Sequence, residues 1–342
     1  MYHPRLKGKY YEMGFHYGEI LYKSGQNFND YITLNEEQIK FGNNAIKLYE
    51  DLLPDIMNEV KGLADGSKTD YFKMAAWLIT MYGFGNIKGC TCFAFNDNGK
   101  TILCRNSDMY PELKKTSESV LYMPENGYVF LGNTTSFVQI EDGMNEHGLA
   151  VGINFLLTKK YKIGINTGFL IRAILEKCRD TEEAISFIKS IPLCSTQNII
   201  IADKTGNLAV VESSPDKIFV RKSKDFIVSA NHFVSEEMND EFLKIEENWY
   251  LTNDRYETCI NNLKEENKGL DFAMDLASGK KGFVCQYSKK LNFDTLWSSI
   301  YDINNLEIYR AEGNPSKTRF KEDTRLNWGI RRRKSTDEPN KM

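Results

Sequence analysis

Histidine is scarce in this chain. His3, His16, His147 and His232 are the only four in 342 residues, and neither an HExxH motif nor a CxxC pair accompanies them. A zinc site lacks its usual ligand spacings, so neither a metal nor another cofactor is expected. Long apolar runs are missing as well. Nothing approaches the ~18 apolar residues of a membrane span, and the opening stretch MYHPRLKGKYYEMG has no apolar signal-peptide core, so a cytoplasmic protein without a membrane partner is expected. Charge of one sign is also absent: 44 Lys and Arg against 47 Asp and Glu leave −3, with no basic stripe to meet a nucleic-acid backbone. Seven scattered cysteines, an odd number, argue for reduced thiols rather than a disulfide framework.

What remains is a globular composition, 41% hydrophobic and 27% charged. From Tyr10 to about Lys68, apolar residues recur at three- and four-residue spacings, which predicts helix, with Pro54 marking a helix start or kink. Tyr71 to Tyr82 is apolar on most sides, as in a buried helix. From Gly89 the texture changes to short β-branched and aromatic runs between turn signals, beginning with a hairpin, CTCFAF–NDNGK–TILCRNSD. Strands are expected at SVLYM, YVFLG, LAVGINF, NIIIAD, NLAVVESS, KIFVR, DFIVSA, TLWSSIYD and LEIYRAEG. Helix is expected from Leu170 to Ile191, where Asp180 and Glu183 form a capping-box pattern, and from about Thr252 to Leu276. Strand runs broken by helix pairs, without βαβ alternation, predict an α+β fold with layered antiparallel sheet. The polar end from Arg331 to Met342 is expected to fray.

The sharpest chemical feature is Gly89-Cys90-Thr91-Cys92, where the helical region gives way to strands. A cysteine here is by itself a small buried hydrophobe. One hairpin later, however, Arg105-Asn106-Ser107-Asp108 brings a guanidinium and a carboxylate to the paired strand, and such groups seldom sit in a sheet without a partner or a task. A thiol with a pKa of about 8.5 needs a base, and histidine is short. An N-terminal cysteine carries its own base, an α-amino group with a pKa of roughly 7.7 to 8.0. That base exists only if the Gly89–Cys90 bond is cut.

GCTCFAF…GKTILCRNSD resembles the start of the catalytic chain in the N-terminal-nucleophile hydrolases related to acyl-coenzyme A:6-aminopenicillanic acid acyltransferase, bile-salt hydrolase and penicillin V acylase. GMNEHGLAVGINF is similar to their glycine-rich hairpin ending in an oxyanion-hole asparagine, here Asn154, and SANHF to the segment carrying a second one, Asn231. KGKYYEMGFHYGE, NIIIADKTGNLAVVESSP and TLWSSIYDINNLEIYRAEGNP also resemble family elements. The resemblance implies a four-layer αββα sandwich and self-cleavage, in which the Cys90 thiol attacks the Gly89 carbonyl. It implies that Asp108 orients the Cys90 amine, that Arg105 favours the thiolate and positions substrate, and that Asn154 and Asn231 donate to the oxyanion. Arg255, in NDRYETCINNL, resembles a supporting arginine in relatives. Trp297 and Ser298 lie in a strand that borders the acyl pocket in relatives, against plain core packing for the tryptophan.

Cys92, two residues on, shares a strand face with Cys90 and is the rival nucleophile, whereas Cys104 should point the other way. His232 should point away from Asn231, which makes a Cys–His pair with His147 the weaker reading. The expected division is an N-terminal pro-segment, 1–89, a catalytic domain, 90–335, and a frayed tail, 336–342. The expected partners are a small-molecule amide or acyl thioester and the chain's own fragment 1–89, and a homo-oligomer stays open. The function so read is a cysteine amidohydrolase acting on a non-peptide linear amide. An N-acyltransferase using the same acyl-enzyme, and an uncleaved non-catalytic binding protein, are the alternatives.

Overall fold

The computed structural model describes residues 1–82, 84, 89–244, 251–285, 287–288, 290 and 292–337. Two sheets face each other. The first has eight strands in the spatial order Arg5–Gly8, Glu118–Pro124, Phe130–Thr134, Asp142–Asn145, Leu149–Phe155, Gln197–Asp203, Leu208–Ser213 and Ile218–Ser223. The second runs Phe226–Ser229, Gly89–Asp97, Lys100–Met109, Phe293–Asp302, Glu307–Ala311 and Lys321–Glu322, with Tyr287–Ser288 added beside Phe293–Asp302. Nearly every pairing is antiparallel; the exception among the named strands is Arg5–Gly8 beside Glu118–Pro124.

Side-chain alternation sorts the residues into layers. Cys92, Ala94 and Leu103 of the second sheet meet Leu131, Ala150 and Ile200 of the first in the core between sheets. Their neighbours Phe93, Phe95 and Cys104 face outward, onto helices Thr252–Leu263 and Leu270–Ala277. The outer face of the first sheet is covered by helices Thr167–Lys177 and Thr181–Ser190 together with the N-terminal helices. The result is helix, sheet, sheet, helix, the four-layer sandwich expected from the sequence.

The first hairpin forms as read, with Asp97 opposite Lys100 across a two-residue turn in which Asn98 and Gly99 both have positive φ (50° and 76°). Pro54 opens the helix Pro54–Gly66. The helical stretch expected over 170–191 is a pair of helices, divided at the capping-box pattern read there: Asp180 accepts from the Glu183 amide and starts the second helix, and Glu183 accepts from the Arg179 amide. The helical stretch from Thr252 likewise divides in two. The basic end is a correction. From Arg325 to Asp337 the chain is helical, because Leu326 buries in the inter-sheet core and Arg333 donates to the carbonyls of Pro124 and Gly127. Residues 338–342, the rest of the expected frayed tail, lie outside the described residues.

The N-terminal helices are integral to the molecule. Leu6, Tyr10, Met57, Val60 and Leu78 share one core with Val120, Val151, Ile171 and Ile199. Helix Tyr10–Lys23 lies almost in backbone contact with Pro54–Gly66, where a Cβ at Gly14 would fall 2.0 Å from the Glu59 carbonyl oxygen and one at Gly62 would fall 2.1 Å from that of Tyr11. Only glycine permits that approach.

Candidate active site

Register across the second sheet sets Cys90 opposite Ser107, and Ser107 opposite Trp297. One pair along, Cys92 lies opposite Arg105. Cys90, Cys92, Arg105 and Trp297 therefore share the inter-sheet face, while Thr91, Asn106 and Ser298 share the other. The hairpin delivers Arg105 Nη2 to 3.0 Å from Cys90 Sγ.

Every polar group of Cys90 is engaged. Its backbone N–H donates to Asn231 Oδ1 (2.9 Å), and its carbonyl accepts from Asn154 Nδ2 (2.9 Å) and Arg255 Nη1 (2.7 Å). Arg255 Nη2 also donates to Asn231 Oδ1 (2.8 Å). Because a guanidinium only donates, this contact keeps the Asn231 oxygen toward Cys90, and its Nδ2 donates to the Phe155 carbonyl (2.8 Å). Ser229 does the same for Asn154, donating to its Oδ1 at 2.6 Å. Arg255, the loosest match in the sequence, thus binds Cys90, Asn231 and the Thr91 hydroxyl.

Asp108 lies opposite Gly89, fully buried. Its Oδ1 accepts from the Thr295 hydroxyl at 2.6 Å, and Oδ2 stands 3.9 Å from Arg255 Nη1 with no hydrogen bond among the described residues. Burial lifts this carboxyl to about 6, against the pull of Arg255 and Thr295. Space at Gly89 is tight: a Cβ there would meet the Phe293 ring at 3.0 Å and the Asp108 Cβ at 3.3 Å.

Burial pushes the Cys90 thiol up to about 11, outweighing the attraction of Arg105. Burial raises Cys92 further, and its Sγ lies 3.9 Å from the Ile153 carbonyl. Neither thiol ionises at neutral pH without a base. His232 does not supply it: the ring contacts the Thr252 hydroxyl and is held neutral, near 4, by burial and then by Arg255 and Arg221. His147 packs on Tyr128 at a sheet turn.

The sequence reading missed what holds Arg105. Its three nitrogens reach the Ile153 carbonyl (2.9 Å), Asp142 Oδ1 (2.8 Å) and Glu141 Oε2 (3.1 Å), with both carboxylates fully buried. Glu141 also accepts from Tyr82, Thr135 and Ser107, and Asp142 from Asn133, Tyr301 and Trp297. Adjacent acids in QIEDGMN, at the start of a strand, are the only sequence signal for this pair. Trp297 is fully buried, its Nε1 donating to Asp142 Oδ1 at 3.0 Å and its ring 5.7 Å from the Arg105 guanidinium. It backs the arginine. Ser298 is buried on the opposite face.

Residues 94–317 match the sequence pattern of the family described as acyl-coenzyme A:6-aminopenicillanic acid acyl-transferase, well over half of the chain. The chain belongs to that family. The matched region contains Arg105, Asp108, Asn154, Asn231 and Arg255 and begins four residues after Cys90. Its members are amide hydrolases and acyltransferases of the N-terminal-nucleophile class, and this chain is an enzyme of that class. Solved structures similar to it include an N-acylethanolamine-hydrolyzing acid amidase ortholog from Caenorhabditis elegans (19% identity, 63% of this chain and 93% of that one, TM-score 0.46). A conjugated bile acid hydrolase variant from Clostridium perfringens aligns over 69% of this chain and 93% of its own, at 15% identity and TM-score 0.50. That likeness supports the fold. No curated protein sequence matches the chain. Among the described residues no helix is long and apolar enough to cross a membrane.

Proposed function

We propose that the chain is a precursor that cleaves itself between Gly89 and Cys90 and then acts as a cysteine amidohydrolase on a non-peptide linear amide. The observation that carries this reading is the cradle of Cys90: a guanidinium at its sulfur, side-chain anchors on its own N–H and C=O, and no histidine in contact. In processing, Sγ bonds to the Gly89 carbonyl carbon, the C–N bond breaks, and the nitrogen becomes the Cys90 amine. Water then releases the thioester, leaving a carboxyl group on Gly89 and the thiol free.

The new amine is the base the thiol lacks. It stays beside Asn231 Oδ1, and Asp108 Oδ2, which has no hydrogen bond among the described residues, is available to orient it. In turnover the thiol proton passes to the amine, Sγ attacks the substrate carbonyl, and the amine protonates the leaving nitrogen. Arg105 stabilises the thiolate. Asn154, held by Ser229 with its Nδ2 toward Cys90, is the oxyanion donor of the processed site, whereas Asn231, expected from the resemblance to be a second donor, has its Nδ2 on the Phe155 carbonyl and its Oδ1 held toward Cys90 by Arg255, which suits it to anchor the new amine. The family's description as acyl-transferases favours, as second reading, transfer of the same acyl group to an amine rather than water.

Intact mass is the test. Purified protein should contain a fragment beginning at Cys90, and Cys90→Ala should abolish both cleavage and turnover. A chain that hydrolyses amides while remaining whole would overturn the amine mechanism, and a fully active Cys90→Ala variant would move the nucleophile to Cys92. Appearance of an N-acyl product when an amine is supplied with acyl-coenzyme A would select the transferase.

A further inference from the structure

A cavity of about 830 Å³ lies between the N-terminal helices and the edge of the first sheet, within the roughly 300–1,000 Å³ of small-molecule sites. Its walls are mostly apolar, formed by Tyr17, Ile20, Trp77, Met81, Leu113 and Phe137. Thr135, also in the wall, donates to Glu141 Oε1 at 2.9 Å, and Glu141 Oε2 takes Arg105, so three side chains separate the cavity from Cys90.

One acidic side chain lines this space. Glu118 begins the strand Glu118–Pro124 and is 6% exposed; one carboxylate oxygen accepts from the Tyr17 hydroxyl, and Oε2 is buried with no hydrogen-bond partner among the described residues. An orphaned carboxylate oxygen in an apolar wall costs free energy until a donor reaches it. Burial raises this carboxyl to about 7, which marks the same deficit. The lining cations Arg5 and Lys115 are exposed to solvent, where their fields are screened, and His3 is paired with Glu312 at 2.6 Å.

We infer that the cavity binds a single-chain amphiphile carrying an amino group, with its alkyl or aralkyl body against Trp77, Met81 and Phe137 and its ammonium donating to Glu118 Oε2. Glu118 is then a specificity-determining residue, and Tyr17 the group that holds it. Binding stands on the cavity alone. That the bound amine is a substrate or acceptor of Cys90 rests on the function proposed above.

The test uses the full chain at neutral pH and three probes with one tail: octylamine, octanol and octanoate, titrated calorimetrically below their aggregation limits. Octylamine is expected to bind one per chain and more tightly than octanol, with octanoate weakest. Glu118→Gln keeps the shape, and it should weaken octylamine about tenfold or more, the worth of a charge-assisted hydrogen bond, while leaving octanol unchanged. Ile20→Trp, at the half-exposed mouth, should weaken all three. Tightest binding by octanoate would assign selection to Arg5 and Lys115 and overturn the inference. So would equal affinities, no binding, or an unchanged octylamine affinity in Glu118→Gln. Because Cys90→Ala leaves the cavity intact, octylamine binding to that variant separates failure of the site from failure of the proposed chemistry.

Discussion

Asp108 shows what burial does to a single side chain. Its carboxyl titrates near 6 in the folded chain, against roughly 3.9 when unfolded. A folded value above the unfolded one means that the stability this group contributes is fully present below about pH 4 and is lost as pH rises through about 6. Asp108→Asn, neutral throughout, should therefore gain stability relative to the parent as pH is raised from 5 to 8, while processing poorly because it cannot hold the new amine. Thermal melts at the two pH values check the first half, and fragment yield the second. A variant that cleaves normally would remove the orienting role from Asp108. The residue types at the site were legible in the sequence: Cys90, Arg105 and Asp108 stand within one hairpin, and alternation alone put Cys104 on the far face. The partners of Arg105 were not. Glu141 and Asp142 lie 36 and 37 residues away in the chain and reach it only because the two sheets stack.

At the scale of elements, strands were read more accurately than helix ends. A strand announces itself every second residue, and the turn Asn98-Gly99 states its own geometry. Helix boundaries depend on caps and on what the helix packs against: the cap at Asp180 was legible, whereas the final helix Arg325–Asp337 needed the structure. The pairing of Tyr10–Lys23 with Pro54–Gly66 is the element-level feature most sensitive to one atom. Gly62→Ala would thrust a Cβ into the Tyr11 carbonyl, and the helices must separate to admit it. A loss of about 1–3 kcal/mol is expected, read from the midpoint of denaturant unfolding. Gly25→Ala is less informative, since its positive φ of 89° is strained in open space; Gly269→Ala, with nothing within 4 Å and ordinary φ, is the proper control and should be neutral.

At the scale of the whole molecule, the two segments on either side of Gly89 share a core and a buried ion pair. Arg172, on the C-terminal side of Gly89, donates to Glu59 on the N-terminal side at 2.7 Å and to Glu176 at 2.6 Å, all three buried. Tyr49 reaches the Gly164 carbonyl, and Tyr82 reaches Glu141. Cleavage at Gly89 should therefore leave the fragments associated, eluting together on size exclusion under native conditions. Breaking one side of a buried pair leaves an uncompensated charge, so Arg172→Met and Glu59→Gln should each cost about 3–5 kcal/mol, and the double variant less than their sum. Additive losses would show that the pair does not join the segments.

Periodicity and turn residues sufficed to read the layered α+β texture and the hairpin that carries Cys90, and the order of motifs, by resemblance, pointed to the family. These are properties of neighbours along the chain, where spacing and side-chain type act directly. Tertiary structure alone decided which carboxylates fix Arg105, that the oxygen rather than the nitrogen of the Asn231 amide faces Cys90, how deeply the thiol is buried, and that Glu118 lines an apolar cavity with one oxygen lacking a hydrogen bond among the described residues. Each of those depends on contacts between segments distant in sequence, where burial sets both the cost of a charge and the value of its partner.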